Sequence, residues 1–171
     1  IYFEPKKVLF KTVFNKTIYE EKIMRNTTNF LTNFRRTIKL YDTMLKEICG
    51  AYHLTMIEAN IISFLYNNPG KDTAGDIVEL RMLSKGNVST AVEALIQKHL
   101  IEREQDKTDR RRIHLYLLPA AEPITNRISE IREQFSEEIL FGFSEEERKQ
   151  FEVLNDRLWE NTRNAMKRRE I

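Results

Sequence analysis

Cysteine is nearly missing from this chain. Cys49 is the one thiol in 171 residues, so no internal disulfide can form, and the composition fits a reducing cytoplasm. Glycine and proline are scarce, at five and four, which favours long helices over many short strands. Purely apolar runs never exceed a few residues, so no membrane span is expected. The opening IYFEPKKVLFKTVF is interrupted by lysines and followed by no small-residue cleavage site, and so does not read as a signal peptide. Ile1 stands where an initiating methionine would, so the native start is expected upstream. The three histidines, His53, His99 and His114, are too far apart for the short spacings of a metal site. A glycine-rich phosphate loop, a GxSxG turn and a paired catalytic set are all lacking, so neither an enzyme nor a cofactor is expected.

What is present is ordinary for a globular protein: 41% hydrophobic and 32% charged residues. A chain of this length buries roughly 70% of its unfolded surface, enough for a core without staples. Phe30, Phe34, Ile38, Tyr41, Leu45 and Ile48 recur at steps of three or four, one face of a long helix that Gly50 should stop. Thr55 with Glu58 is a capping-box signature for a second helix, which should end at Asn67-Asn68-Pro69-Gly70. A short helix follows from about Thr73, with Asp76 in its first turn and Ile77 and Leu80 inward. Ser84 then opens a helix lined on one side by Val88, Val92, Leu95 and Ile96. Its other side carries Lys85, Asn87, Ser89 and Thr90 in the first two turns. Small polar residues sacrifice helix propensity there for hydrogen-bonding reach.

Leu100 to Gln105 and Arg112 to Leu118 read as two strands of a hairpin, the second alternating Ile113, Leu115 and Leu117 with polar positions. Beyond Pro119, Ile124, Ile128, Ile131, Phe135 and Ile139 mark another helix, broken at Gly142. Ser144 to Glu147 is a second capping box, and Phe151, Leu154, Leu158 and Trp159 form one side of the last helix. Between the strands, Lys107 to Arg112 holds four positive charges and one negative, +3 locally. The whole chain sums to +2, so everything outside this hexapeptide is net negative. Positive charge is concentrated at a hairpin tip.

Helix, helix, polar-faced helix, then a cationic hairpin is the sequence form of a winged helix-turn-helix. Such a helix can hydrogen-bond base edges in the major groove. An arginine-tipped hairpin can reach a minor groove, whose negative potential attracts guanidinium groups. At these residues the chain resembles the MarR family of transcriptional regulators. Leu54-Thr55 resembles the start of the family's second helix, LSKGNVSTAVEALIQKHLIERE its recognition helix and first wing strand, and DRRRIHLYL its Asp-x-Arg wing. The match spans about residues 50 to 120. It departs at Leu117-Leu118-Pro119-Ala120-Ala121, where the family's threonine cap is gone and proline at a first helical position partly substitutes.

The expected fold is mainly α with a small two- or three-stranded β wing. Residues 1–22 form an extension of unassigned structure, 23–50 a first dimerisation helix, 51–118 the DNA-binding lobe and 119–171 C-terminal dimerisation helices. Ser84, Lys85, Asn87, Ser89 and Thr90 are the candidate recognition-helix contacts. Lys107, Asp109, Arg110, Arg111 and Arg112 are the candidate wing contacts, with Asp109 expected to hold the Arg111 guanidinium. Thr55 and Thr73 are weaker candidates for phosphate. The resemblance implies a homodimer on double-stranded DNA, a pseudo-palindromic operator, repression as the usual mode and release by a small-molecule effector. The competing expectation is a winged-helix module that binds another protein and no DNA. A hairpin without an aromatic stacking platform speaks against RNA.

Overall fold

The computed structural model describes residues 27–169, so the extension at residues 1–22 and the expected helix start at residue 23 lie outside the described residues. The elements are α1 (Thr27–Tyr52), α2 (Met56–Asn67), α3 (Ala74–Arg81), α4 (Lys85–Gln97), β1 (Ile101–Gln105), β2 (Ile113–Leu117), a 3-10 turn (Pro119–Ala121), α5 (Glu122–Ile139) and α6 (Glu145–Arg168). The chain divides into two compact units within α1, after Glu47. In the first, the α1 residues Phe30 and Phe34 meet edge to face at 4.8 Å between ring centroids. Phe30, Leu31, Phe34 and Ile38 are all exposed.

The second unit contains the remaining elements around one apolar core. Ile61, Ile62 and Phe64 of α2, Ile77 of α3, Val88 and Leu95 of α4, Ile101 of β1, Leu115 of β2 and Ile124, Ile128 and Ile131 of α5 are all buried. Truncating one of these isoleucines to alanine costs about 2–5 kcal/mol, because transfer and cavity terms add. Helix α2 packs on α4, α5 and β2, while α3 packs on α4 and β2. Helix α6 buries none of its residues, leaving Phe151, Val153, Leu154, Leu158 and Trp159 exposed. No single helix among the described residues is long and apolar enough to cross a membrane.

Local chemistry explains most boundaries. Thr55 and Ser144 complete the expected capping boxes with Glu58 and Glu147, and Thr73 forms a third with Asp76. The stop expected at Gly50 is not used. Helix α1 runs on to Tyr52, and His53 at φ 52° turns the chain away, with the Leu54 N–H donating to the Cys49 carbonyl at 3.0 Å. His99, at φ 55°, ends α4 in the same way, with Leu100 N–H donating to the Leu95 carbonyl at 3.0 Å. Both are Schellman closures in which histidine occupies the left-handed position that glycine usually takes. Past the wing, Pro119 opens the 3-10 turn, and α5 begins only at Glu122. The hydroxyl cap missing from the sequence is replaced by this tighter turn.

The hairpin pairs Ile101 with Leu117 through to Gln105 with Ile113, antiparallel. An isolated bridge between Thr73 and His114 lengthens the sheet beside β2, and the Leu115 N–H donates to the Asp72 carbonyl at 2.8 Å. The half-buried alternation expected for β2 holds at Leu115 alone; Leu117 is half-buried and Ile113 is exposed. Ile113 lies at the outer end of the ladder, beyond the reach of the core.

Candidate nucleic-acid interface

The turn into α4 is made by Met82, left-handed at φ 53°, and Ser84, whose hydroxyl accepts from the Asn87 N–H at 3.3 Å. Lys85, Asn87, Ser89 and Thr90 are exposed, whereas Val88, Ala91, Val92 and Leu95 are buried. The division follows the 3.6-residue period, so burial of the apolar side fixes where the polar side points.

One further residue shares the exposed side. Gly86 sits in the first turn of α4, and a Cβ there would meet nothing within 4 Å. Glycine inside a helix costs roughly 0.5–1 kcal/mol relative to alanine, and no packing among the described residues requires it. Its signal in the sequence is a helix-breaking residue one turn into a well-capped helix.

Lys85 and Ser89 line a groove of about 380 Å³ with Arg103 and Ile113 of the hairpin, over a floor that includes Val88 and Leu115. The start of α4 and the hairpin therefore border one surface. Glu93 on α4 ties the two together through an ion pair to Arg103 on β1, at 2.5 Å.

The hairpin tip is organised by an aspartate that sequence reasoning passed over. Asp106 Oδ1 accepts from the Thr108 N–H at 2.7 Å, the Thr108 hydroxyl at 2.6 Å and the Asp109 N–H at 2.7 Å. Its Oδ2 lies 3.0 Å from His114 Nε2, and His114 Nδ1 lies 2.7 Å from Asp72 Oδ1. The Thr108 hydroxyl, the Asp109 N–H and His114 hold the Asp106 carboxyl far below the ordinary carboxylate range. Asp106 and then Asp72 raise the His114 pKa above its usual value.

Asp109 does not hold the Arg111 guanidinium as expected. Its Oδ1 accepts from the Arg111 backbone N–H at 3.0 Å, while the Arg112 N–H donates to the Asp109 carbonyl at 2.8 Å. An aspartate two residues before its donor is suited to close a turn in this way, which leaves the guanidinium pointing free of it. Lys107, Arg110, Arg111 and Arg112 are exposed, and among the described residues none of the four is ion-paired.

The two threonines differ. Thr73 donates its hydroxyl to Asp76 Oδ2 at 2.6 Å and its N–H to the same oxygen at 3.1 Å. Both of its donors are used, so the expected phosphate role lacks a proton to offer. Thr55 is exposed, and its hydroxyl oxygen accepts from the Glu58 N–H at 3.2 Å.

Residues 53–112, spanning α2 to the wing tip, match the model of the MarR family. Over those residues the chain is similar to the MarR family. It is 26% identical over 102 residues to the uncharacterized HTH-type transcriptional regulator YsmB of Bacillus subtilis, covering 60% of this chain and 69% of that one. In fold it is similar to a Listeria monocytogenes protein described as a MarR family transcriptional regulator and solved with 26mer DNA. There the TM-score is 0.69 at 17% identity, over 79% of this chain and 89% of the other. It is also similar to Bordetella bronchiseptica BpsR, with a TM-score of 0.58 at 18% identity, over 76% of this chain and 98% of that one. The BpsR structure concerns regulation of its DNA binding by 6-hydroxynicotinic acid.

Proposed function

We propose that this chain is a MarR-family transcriptional regulator, a homodimeric, sequence-specific repressor that grips a pseudo-palindromic operator and lets go when a small-molecule effector binds. The observation that carries the reading is the surface shared by α4 and the hairpin. Lys85 and Ser89 border the same groove as Arg103 and Ile113, and the hairpin ends in four exposed cations. A chain that needed the hairpin only to close its core would have no use for this concentration of charge.

In this reading Ser84, Lys85, Asn87, Ser89 and Thr90 enter the major groove, with Gly86 allowing close backbone approach. Arg111 reaches the minor groove, while Lys107, Arg110 and Arg112 touch phosphates and Asp109 shapes the tip. Residues 51–118 form the DNA-binding lobe, and 23–50 and 119–171 dimerise. The exposed apolar positions of α1 (Phe30, Phe34, Ile38) and of α6 (Leu154, Leu158, Trp159) support the dimer, because water-facing aromatics at helical spacing suit a covered face. Two lobes would then sit about 34 Å apart, one helical turn of DNA. The complex of the Listeria protein with DNA and the regulation of BpsR by an aromatic acid support the DNA and effector parts of the reading.

The test is a gel shift with the DNA upstream of the protein's own coding region, repeated over a salt series. Six to ten phosphate contacts imply that affinity falls about 10³- to 10⁵-fold between 50 and 200 mM salt. A flat response would favour the rival reading, a winged-helix module that docks on another protein.

A further inference from the structure

Two carboxylates facing one imidazole set a chemical requirement. Asp72 Oδ1 lies 2.7 Å from His114 Nδ1, and Asp106 Oδ2 lies 3.0 Å from Nε2. Carboxylate oxygens can only accept. Both contacts are therefore hydrogen bonds only when both ring nitrogens carry protons. A neutral ring would turn a lone pair toward one of the carboxylates and lose that bond to repulsion.

The three residues come from separate places. Asp72 precedes α3, His114 lies on β2, and Asp106 opens the wing tip, 42 and 8 residues from the histidine respectively. Asp106 also accepts from Thr108 and Asp109, so its carboxylate is the point from which the arginine-bearing turn is hung. The base of the wing has its own anchors, the Leu115 N–H to the Asp72 carbonyl and the Thr73–His114 bridge. Losing the ring contact would loosen the tip without unfolding the hairpin.

The geometry points to His114 as the positioning residue of the wing: donating from both ring nitrogens, it holds the arginine tip in register with α4 and makes the grip on DNA depend on one proton. This rests on the DNA-binding reading above. The surroundings favour the proton. Glu104 is the direct cross-strand partner of His114, and Asp76 caps α3 beside Asp72. Lys71 and Arg112 are the opposing cations nearest in sequence to Asp72 and His114. The Tyr116 ring stacks on the imidazole at 6.2 Å and 24°. The raised His114 pKa agrees in direction with this arrangement.

The sign follows directly. The ring is protonated on both nitrogens at low pH, so the tip is held there and released as pH rises through the raised value. DNA phosphates and arginines keep their charges throughout, so they add no slope of their own.

A duplex selected by the wild-type protein from a randomised pool serves as the probe. Affinity would be measured by fluorescence anisotropy from pH 6 to pH 9 at constant ionic strength, and the His114 ring titrated by NMR. Affinity should fall about tenfold over that range, because loss of the ring proton releases the tip. Its midpoint should coincide with the ring titration. His114→Gln should remain folded and give a flat profile. Asp72→Asn, which leaves the tip turn intact, should move the midpoint to lower pH, a shift that a merely structural role would not produce. A profile that is flat in the wild type, or unchanged in either variant, overturns the proposal and leaves the DNA reading standing. Failure to select any duplex overturns both.

Discussion

Lys98 Nζ lies 2.8 Å from Glu58 Oε1, joining the residue that closes α4 to a carboxylate buried in the first turn of α2. The other oxygen of Glu58 accepts from the Thr55 N–H at 2.6 Å, and Lys98 also donates to the His53 carbonyl at 3.0 Å. One side chain thus caps α2 and fixes the far end of the candidate recognition helix. Burial alone would raise the Glu58 pKa; the bonds from Lys98 and Thr55 outweigh it and hold the value low. Its contribution to stability is therefore present above the ordinary glutamate pKa and is lost as pH falls through the lower folded one. Lys98→Met should strand a buried carboxylate. Because the lysine is partly exposed, solvent screening reduces the loss to about 1–2 kcal/mol. Chemical denaturation should show this loss at pH 7, with the gap between variant and wild type narrowing in acid.

Arg111→Ala tests the wing. Asp109 binds the backbone rather than the guanidinium, so truncation should leave the tip folded and thermal stability within about 0.5 kcal/mol. Affinity for the selected duplex should drop by about 1–3 kcal/mol if the side chain enters the minor groove. Unchanged affinity at moderate salt would eliminate that assignment and leave Arg111 as a bystander.

Gly86 and Ser84 should respond in opposite directions. Gly86→Ala has open space around the new Cβ, so it should stabilise the fold by about 0.5–1 kcal/mol. The same methyl group should weaken DNA binding if the backbone approaches the duplex closely. Ser84→Ala removes the cap on α4 and should cost about 1 kcal/mol. Paired melts and gel shifts would separate the two effects; tighter DNA binding by Gly86→Ala would sink the close-approach role.

The apolar side of α6 gives a test of assembly. Leu154→Glu with Leu158→Glu changes two exposed positions, so a monomer should keep its helical content. Sedimentation should report loss of the dimer, and DNA affinity should fall with it because half of the operator contacts go. A variant that still sediments as a dimer would move the interface elsewhere.

Several features were open to inspection in the residues alone, because they depend on near neighbours in the chain. The capping boxes at Thr55 and Ser144, the Ser84 cap and the polar side of α4 each arise within one or two helical turns. The +3 hexapeptide needed only counting. Where one residue type has two local uses, its place in the sequence does not choose between them. Gly50 continues a helix instead of ending it, because the closure is made by His53 in a conformation glycine merely makes cheaper. Asp109 accepts from the Arg111 backbone N–H, a partner its place in the sequence suggests no more strongly than the guanidinium.

By itself, then, the order of residues determined the helices, the hairpin, the charge at its tip and the family resemblance, since period, caps and composition act over a few residues. Only the tertiary structure decided that Asp72, Asp106 and His114 meet, that Lys98 reaches Glu58, and that Lys85 borders the same groove as the hairpin. Those contacts join segments up to 42 residues apart. No local preference encodes them, because burial of Ile77, Leu95 and Leu115 in a common core is what carries the polar partners into reach.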